Sequence, residues 1–350
     1  ERAEALLVTN PVNVTYLTGF TGGDSYLLVT QATDLLLSDP RYEEQIGEES
    51  PGLATFIRQP GELLSEVTVR ELNKLELESL AVEGDHLTVN AFDVWQRELN
   101  VESLLKASGW VEGLRAIKDK EELAAIRRAI DVAERVFTAV RAQLSARQSE
   151  RDVANEIERL TRAMGASACA FKPIVAVGAR AALPHATPGE CLMGSSPFVL
   201  IDWGAIVDGY RSDLTRVLLT SKIPSKFARI YETVLAAQTA AIEALKPGVM
   251  ASQIDQIARD VIARAGMGPR FNHGLGHGIG LDIHEAPRMS KKLDQPLVAG
   301  MVVTVEPGIY YTGFGGVRLE DDVLITANGY ELLSSLPRSL LENTAPLLSS

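Results

Sequence analysis

The sequence of 350 residues has only two cysteines, no excess of positive charge and no long apolar run. Cys169 and Cys191 form neither a metal-binding spacing nor a disulfide framework, which favours a reducing compartment. The formal net charge of −12 would repel a phosphate backbone, which argues against nucleic acid as a partner. No apolar stretch approaches the roughly 18–20 residues that span a bilayer, and the residues given contain no signal peptide. These absences predict a cytoplasmic protein that binds neither nucleic acid nor membrane.

The remaining composition, 46% apolar and 23% charged, is typical of a globular protein long enough for two domains. In the first hundred residues, short strand-like runs alternate with polar helices, which indicates an α/β fold. A long amphipathic helix then follows at 118–144, and a second, capped by Ser149, at 149–163. Further strands are predicted at 174–177, 198–206, 210–219, 302–306 and 317–326, and further helices at 226–245 and 252–265. We therefore expect an N-terminal α/β domain, residues 1–115, and a C-terminal α+β domain, residues 116–350, divided near 110–118.

Two aspartates, Asp202 and Asp213, flank a predicted β-hairpin. Asp208-Gly209 lies between two strand-like runs and is a strong signal for a two-residue turn. In that register Asp202 faces Thr215, and the two aspartates are diagonal neighbours on one sheet face, roughly 7–8 Å apart. Carboxylates placed there can share metal ions about 3.5–4 Å apart. The alternative is a pair of ordinary strand-end and turn residues, but Asp202 follows an apolar run, where a buried carboxylate needs a partner.

Four of the five histidines lie between residues 185 and 284, and His277 stands between two glycines. Glycine on both sides of a histidine lets the backbone approach a metal or substrate closely. A nucleotide-binding glycine loop is one rival interpretation, but this stretch neither follows a clear strand nor opens a helix. A glycine-rich surface loop with incidental histidines is the other alternative.

Glu306 and Glu320 each end an apolar strand-like run, as Asp202 does. Either one alone would be read as an ordinary solvated strand end. Together with the two aspartates and one histidine, four carboxylates match the charge of two divalent cations. Such an oxygen-rich shell with one imidazole suits Mn²⁺, Co²⁺ or Zn²⁺. The five residues therefore predict a site for two divalent metal ions.

The order of these residues resembles the five-ligand set of the pita-bread metallopeptidases, which include methionine aminopeptidase, aminopeptidase P and prolidase. Shorter motifs of the family match along essentially the whole chain: Pro184-His185, Gly276-His277-Gly278, His284-Glu285-Ala286-Pro287, Glu306-Pro307-Gly308 and Gly316-Val317-Arg318-Leu319-Glu320-Asp321. Two N-terminal motifs resemble the creatinase-type domain of aminopeptidase P and prolidase: Tyr16-Leu17-Thr18-Gly19-Phe20 and Asp39-Pro40-Arg41-Tyr42. The resemblance implies a creatinase-like α/β domain followed by a pita-bread catalytic domain.

The resemblance also implies a role for each site residue. It implies two metal ions, which would be held by Asp202, Asp213, His277, Glu306 and Glu320. A hydroxide that bridges the two ions would attack the carbonyl before proline. Glu306 would also carry a proton, and His284 would donate to the oxyanion. Arg318 would hold the ligand shell from behind. The substrate would be bound by Phe171, His185, His273, Arg288 and Arg318.

An Xaa-Pro dipeptidase is the expected function. Methionine aminopeptidase lacks the N-terminal domain, creatinase works without metals, and non-catalytic relatives have lost ligands that this chain has. A short aminopeptidase P, which removes the residue before proline from longer peptides, is the main alternative. The compact step from Glu306 to Glu320 favours prolidase, and Arg288 is either the partner of a dipeptide's free carboxylate or a surface arginine. Val177 and Arg180 depart from the family pattern and leave the preference of the proline pocket open.

Relatives with this N-terminal domain are usually homodimers, so the resemblance implies a homodimer. Residues 21–26, which are polar and rich in glycine, form the candidate loop for reaching a partner's active site. We hypothesise that Asp24 of one chain pairs with Arg288 of the other, or with the substrate's free amine. The alternative is an ordinary hairpin connection.

Overall fold

The computed structural model describes residues 3–292 and 295–348. Proximity of Cα atoms divides the chain into two compact units, and the division falls between Arg115 and Ala116. In the described part of the chain, no helix is both long enough and apolar enough to cross a bilayer.

The N-terminal unit is built on a six-stranded mixed sheet with helices interspersed along the chain. Its elements are β1 (Ala5–Val8), α1 (Pro11–Thr18), β2 (Tyr26–Thr30), β3 (Asp34–Ser38), α2 (Glu43–Glu49), β4 (Ala54–Ile57), α3 (Leu64–Leu72), β5 (Ser79–Glu83), α4 (Val89–Glu98), β6 (Ser103–Ala107) and α5 (Trp110–Arg115). The strand order is β4-β3-β2-β1-β5-β6. Alternate residues of one strand enter different cores, since Leu7 packs with Trp95 whereas Val8 packs with Phe20. Both faces of the sheet are therefore covered, which confirms the predicted α/β pattern.

Residues 21–26 are held by contacts within their own unit. Asp24 Oδ2 lies 2.5 Å from Arg41 Nη2, and both side chains are exposed. The Thr21 N–H donates a 2.7 Å hydrogen bond to Glu49. An Asp24 that reached a second chain would have to release Arg41 first. The intersubunit pairing with Arg288 therefore stays a prediction, now with a competing partner.

The C-terminal unit contains the longer helices and several short antiparallel sheets. Its elements are α6 (Lys120–Gln143), α7 (Glu150–Ala163), β7 (Ala168–Cys169), β8 (Ile174–Val177), β9 (Phe198–Trp203), β10 (Ala205–Val207), β11 (Tyr210–Arg211), β12 (Leu214–Leu219), α8 (Ser225–Glu243), α9 (Ala251–Arg264), β13 (Gly276–Gly278), β14 (Glu285–Met289), β15 (Val302–Val305), β16 (Gly308–Tyr311), β17 (Gly315–Arg318), β18 (Asp321–Thr326) and β19 (Gly329–Leu332). The two sheets that carry the site have the orders β12-β9-β8 and β14-β13-β15-β18-β19.

Helices pack on both faces of the β12-β9-β8 sheet. Val199 and Ile201 of β9 share a core with residues of α6 and α7, whereas Leu200 belongs to the core that includes Phe227 of α8. The strand alternates, so Asp202 has the same orientation as Leu200. The first two helices of this unit match their predictions closely. Asp119 caps α6, and Ser149 caps α7 as expected.

Three predicted strands are wrong in their continuity, and one of them, 210–219, is interrupted at Ser212-Asp213 between β11 and β12. The run 198–206 is interrupted at Gly204, where a Cβ atom would lie 1.9 Å from the carbonyl oxygen of Ser212. The run 317–326 is interrupted at Leu319-Glu320, because the Glu320 N–H donates to the carbonyl of Thr215 at 3.2 Å instead of continuing a ladder. All three interruptions lie at or beside predicted metal ligands.

Candidate metal centre and active site

The hairpin that carries Asp202 and Asp213 has the predicted register. Asp202 pairs with Thr215 across β9 and β12, and the turn at Asp208-Gly209 has two residues. Both turn residues have positive φ angles, 50° and 82°, as a type I′ turn requires. Asp202 and Asp213 are both buried. The local turn chemistry therefore fixes which face both carboxylates occupy.

The other three predicted ligands come from separate strands of the second sheet and its flanks. His277 lies at the centre of β13, Glu306 directly follows β15, and Glu320 lies between β17 and β18. The Thr215 hydroxyl donates a 2.6 Å hydrogen bond to Glu320 Oε2. An isolated bridge between Thr215 and Glu320 joins the two sheets at this point. The site is thus built where the two sheets meet.

The glycines beside His277 have a different role from the one predicted. A Cβ atom at Gly276 would lie 2.1 Å from the Thr304 carbonyl oxygen, and one at Gly278 would lie 2.1 Å from the Ala286 carbonyl oxygen. The stretch is a central strand and not a loop, since β13 lies between β14 and β15. The glycines let neighbouring strands approach closely, and His277 is presented to the site by that packing.

His277 and the carboxylates converge closely. One ligand atom from each of Asp213, His277 and Glu320 lies within 4.8 Å of the others. His277 Nε2 lies 3.6 Å from Asp213 Oδ2 and 3.4 Å from Glu306 Oε1. Its Nδ1–H donates to the Gly278 carbonyl at 3.1 Å, which leaves the lone pair of Nε2 directed at the carboxylates. Burial lowers the pKa of His277 to about 3, so the ring is in the neutral form that binds metal ions.

The protein groups around these carboxylates do not supply enough positive charge to neutralise them. Burial and neighbouring carboxylates raise the pKa values of Asp213 and Glu320 well above their usual range. Burial also raises the pKa of Glu306 to about 8. Asp202 Oδ2 pairs with Arg318, but its Oδ1 is buried and accepts no hydrogen bond from the described residues. A buried carboxylate oxygen without a donor, inside a shell of four carboxylates and one neutral imidazole, fits divalent cations.

A cavity of about 870 Å³ opens onto these ligands. It brings together the whole set of residues singled out in the sequence: Phe171, His185, Asp202, Asp213, His273, His277, His284, Arg288, Glu306, Arg318 and Glu320. The aspartates and Glu320 are buried, whereas Lys172, His185, His284 and Arg288 are exposed. Most of the carboxyl groups of the cavity are thus buried, whereas its cationic side chains Lys172 and Arg288 are exposed.

His284 is adjacent to the metal-ligand candidate His277. The two ring centroids are 4.4 Å apart, and the planes are nearly perpendicular at 80°. Partial burial and Arg288 lower the pKa of His284, so its neutral ring has one N–H to donate. This placement agrees with a hydrogen-bond donor to substrate, which stays a prediction.

Tyr310 is a site residue that the sequence reasoning missed. Its hydroxyl accepts a 3.0 Å hydrogen bond from Arg318 Nη1 and lies 3.0 Å from His273 Nε2. His273 Nδ1–H donates to the Gly274 carbonyl at 2.7 Å, so Nε2 is the acceptor for the Tyr310 hydroxyl. Both ring nitrogens of His273 are therefore engaged by protein, and only its ring surface is available to a substrate. The available signal was the position of Tyr310, two residues after the Glu306-Pro307-Gly308 motif.

Arg318 is buried behind the ligands. It donates to Asp202, to the Thr215 hydroxyl at 3.1 Å and to Tyr310. Only 4% of its side chain is exposed. These contacts agree with the predicted role in holding the ligand shell and leave little of the guanidinium for direct substrate contact. Val177 and Arg180 do not line the cavity.

Comparison with known proteins identifies the family. Residues 124–327 match the model of metallopeptidase family M24, and residues 1–117 match the creatinase/prolidase N-terminal domain. The chain belongs to metallopeptidase family M24. A relative from Pyrococcus furiosus, named Xaa-Pro dipeptidase, is 37% identical over 97% of this chain and 95% of its own length. The match of both regions confirms the predicted family and the predicted creatinase-like and pita-bread fold.

Solved structures of similar sequence have the same fold over nearly the full chain. An Xaa-Pro dipeptidase from Bacillus anthracis superposes with a TM-score of 0.92 at 34% identity, covering 97% of this chain and 94% of that one. An X-Pro aminopeptidase from Thermotoga maritima superposes with a TM-score of 0.88 at 33% identity, covering 96% and 97%. The two activities that the sequence left as alternatives therefore both occur in the names of relatives with similar sequence identity to this chain.

Proposed function

We propose that this M24 protein is a metal-dependent Xaa-Pro dipeptidase of the prolidase type. The observation that carries the proposal is the single cavity that joins five metal-ligand candidates to the exposed side chains of His284 and Arg288. The name of the Pyrococcus furiosus relative supports the same substrate class. Membership of a metallopeptidase family implies divalent metal ions.

Two divalent ions, Mn²⁺, Co²⁺ or Zn²⁺, would be held by Asp202, Asp213, His277, Glu306 and Glu320. When bound, such ions polarise a carbonyl oxygen and acidify water, which is what hydrolysis of an amide requires. Arg318 and Thr215 orient Asp202 and Glu320 through the contacts described above. Glu306 would move a proton between water and the leaving amine.

His284 would donate its N–H to the oxygen of the scissile carbonyl as negative charge develops there. A donor that is already in position and neutral gains most of its interaction energy in the transition state. Its ring is exposed to the cavity and lies beside His277, which puts the donor next to the metal-ligand candidates.

The open end of the cavity would bind the two ends of a dipeptide. Arg288 presents an exposed guanidinium, which binds a carboxylate through two parallel hydrogen bonds. The free carboxylate of Xaa-Pro is such a group, and an internal proline has none. Phe171 and His185 would border the proline ring and the peptide.

Aminopeptidase P activity is the second candidate, for two specific reasons. The Thermotoga maritima relative is named an X-Pro aminopeptidase. The cavity of about 870 Å³ is also near the upper end of the roughly 300–1,000 Å³ that holds a drug-sized ligand. That volume leaves room beyond a dipeptide.

The test compares kcat/KM for Xaa-Pro and Xaa-Pro-Yaa with the same first residue. For the dipeptidase, the wild type prefers Xaa-Pro. The Arg288→Ala substitution then lowers kcat/KM for Xaa-Pro by about 10-fold or more, as expected when a charged hydrogen-bond partner is lost. It leaves kcat/KM for the tripeptide nearly unchanged. Arg264→Ala, an exposed arginine on α9 outside the cavity, serves as the control. A wild type that prefers the tripeptide would establish the aminopeptidase instead.

The oligomeric state and the cellular compartment of the protein are also part of the proposal. We propose a homodimer, tested by the molecular mass in solution, and Asp24→Ala tests whether residues 21–26 affect the dipeptide preference. A mass of one chain, or an unchanged ratio of dipeptide to tripeptide rates, would remove the intersubunit role of Asp24.

Two free cysteines agree with a cytoplasmic setting.

A further inference from the structure

A buried carboxylate at the start of α7 organises one wall of the cavity. Glu150 is fully buried, and its Oε1 accepts a 2.8 Å hydrogen bond from the Val177 N–H. Its Oε2 accepts a 2.9 Å hydrogen bond from the Gly189 N–H. Arg180 Nε lies 2.9 Å and 2.8 Å from the two carboxylate oxygens. One carboxylate therefore ties together the end of β8, the turn after it and Gly189, which is twelve residues after Val177.

Residues 184–188 lie between two of the points that Glu150 holds, and they line the cavity. Arg180 reaches this segment directly, because its Nη2 donates a 2.6 Å hydrogen bond to the Thr187 carbonyl. The far end of the segment is also fixed to the first turn of α7, where the Arg151 N–H donates to the Gly189 carbonyl at 3.0 Å. The Arg180 guanidinium thus bridges Glu150 and the cavity wall.

His185 lies on the wall segment that these hydrogen bonds hold. Its ring is exposed in the cavity and makes no hydrogen bond to any residue that the structure describes. With no side-chain partner, the place of the ring is set by the backbone of residues 184–188. That backbone is in turn held at Thr187 and Gly189 through Arg180 and Glu150.

We propose that Glu150 and Arg180 are positioning residues for substrate binding, because they clamp the wall segment that carries His185. Arginine suits this task better than lysine, since its planar group can pair with a carboxylate and a carbonyl at the same time. Neither residue touches the cavity, so both act through His185. The proposal rests on the proposed function, in which His185 borders the peptide.

A purely structural role for the pair would produce a different result. Loss of Arg180 would then lower stability and expression without a selective effect on KM. A clamp that acts through His185 predicts coupling between the two positions, because a second change has nothing left to disturb once His185 has been removed.

The experiment is a double-mutant cycle on metal-loaded enzyme with an Xaa-Pro substrate. We expect Arg180→Ala to raise KM by about 10-fold, the effect of one charged hydrogen bond, with kcat and metal content nearly unchanged. In the His185→Ala background, Arg180→Ala should change KM by less than about twofold. Arg180→Lys, which keeps a charge beside Glu150 but not the bridge, should give an intermediate KM. Arg159→Ala is the matched control, because it breaks an exposed ion pair with Glu156 on α7, the helix that begins with Glu150.

Hydrogen exchange supplies a readout that needs no turnover. Peptides covering residues 181–191 should exchange faster in Arg180→Ala than in the wild type or in Arg159→Ala. Additive effects of Arg180→Ala and His185→Ala on KM, or unchanged exchange in this segment, would overturn the clamp. If Arg180→Ala does not fold, Arg180→Lys with unchanged KM overturns it equally. A wild type that cleaves no Xaa-Pro peptide overturns the proposed function, and the exchange experiment still tests the clamp.

Discussion

At the residue scale, three of the ligand candidates are held in place by hydrogen bonds to residues of other strands. Glu320 accepts from the Thr215 hydroxyl, and Asp202 accepts from Arg318. The Asp213 N–H in turn donates to Asp322 at 3.1 Å. Each of these three residues therefore has one carboxylate oxygen or its backbone fixed by protein, which orients the remaining oxygens for metal ions.

His284→Ala should separate catalysis from metal binding. The donor is outside the ligand set, so metal content should stay at the wild-type level while kcat falls by roughly 10²–10³, as for loss of one oxyanion donor. Glu306→Gln should lower both metal content and kcat. Metal analysis and steady-state kinetics measure the two effects, and His86→Ala in the N-terminal unit is the control. Full activity in His284→Ala would show that its assigned role is wrong.

Tyr310→Phe tests the hydroxyl that joins Arg318 to His273. The side chain is almost fully buried, so its removal leaves one donor and one acceptor without a partner, at a cost of about 1–3 kcal/mol. We expect a lower unfolding temperature and a kcat/KM reduced by about 10-fold, with metal content retained. Tyr330→Phe, a more exposed tyrosine of β19, should match the wild type. Equal kinetics for both variants would contradict the bridging role.

At the element scale, the close packing of β13 between its neighbours decides where His277 points. Gly278 pairs with Val303 of β15 on one side and with Glu285 of β14 on the other. The register shifts between His277 and Gly278, and such an irregularity re-aims a side chain. The strand is short, so its orientation comes from the strands on both sides.

Gly278→Ala should therefore disturb both the fold and the site. The added Cβ atom would lie 2.1 Å from the Ala286 carbonyl oxygen, which forces a backbone shift and costs about 1–3 kcal/mol. Chemical unfolding should show this loss, and metal affinity should fall because His277 moves with the strand. Gly329→Ala, where a Cβ meets no atom within 4 Å, should stay within about 0.5 kcal/mol. Equal stability of both variants would contradict the packing argument.

At the scale of the whole molecule, metal ions should affect folding as well as catalysis. Exhaustive chelation should abolish hydrolysis, and Mn²⁺, Co²⁺ or Zn²⁺ should restore it to differing degrees. A ligand that binds only the folded state raises its stability, so the unfolding temperature should fall and recover in parallel. Protein that keeps full activity with no bound metal would contradict the proposed function.

The pH dependence of the metal-free protein follows from the same charges. Burial raises the pKa of Glu306 from its usual 4.5 to about 8 in the folded state, and the pKa values of Asp213 and Glu320 are also raised. A carboxyl group with a raised folded pKa contributes stability that is full below pH 4.5 and is lost as the pH rises towards 8. Calorimetry should show the metal-free unfolding temperature falling across this window, while added Mn²⁺ removes most of the fall. A metal-free protein that becomes more stable over this range would contradict the assignment.

The sequence by itself determined the features that depend on local chemistry. The Asp208-Gly209 turn sets the register that places Asp202 and Asp213 on one face, because only a few residue types adopt the positive φ angles of that turn. Amphipathic periodicity predicted α6 and α7, and the cap at Ser149 predicted where α7 begins. The start of α6 was predicted at residue 118, two residues before Lys120.

Tertiary structure decided what meets across long distances in the chain. Alternation along a strand reveals which side chains share a face, but it does not reveal which distant strand lies alongside. The Thr215–Glu320 bridge, the Tyr310 hydroxyl between Arg318 and His273, and the closeness of β14 and β15 to the glycines of β13 all depend on such pairings. The hydrogen bonds of Glu150 with Arg180 and Val177 also depend on tertiary structure, because a buried carboxylate accepts hydrogen bonds from whichever donors the folded chain brings to it.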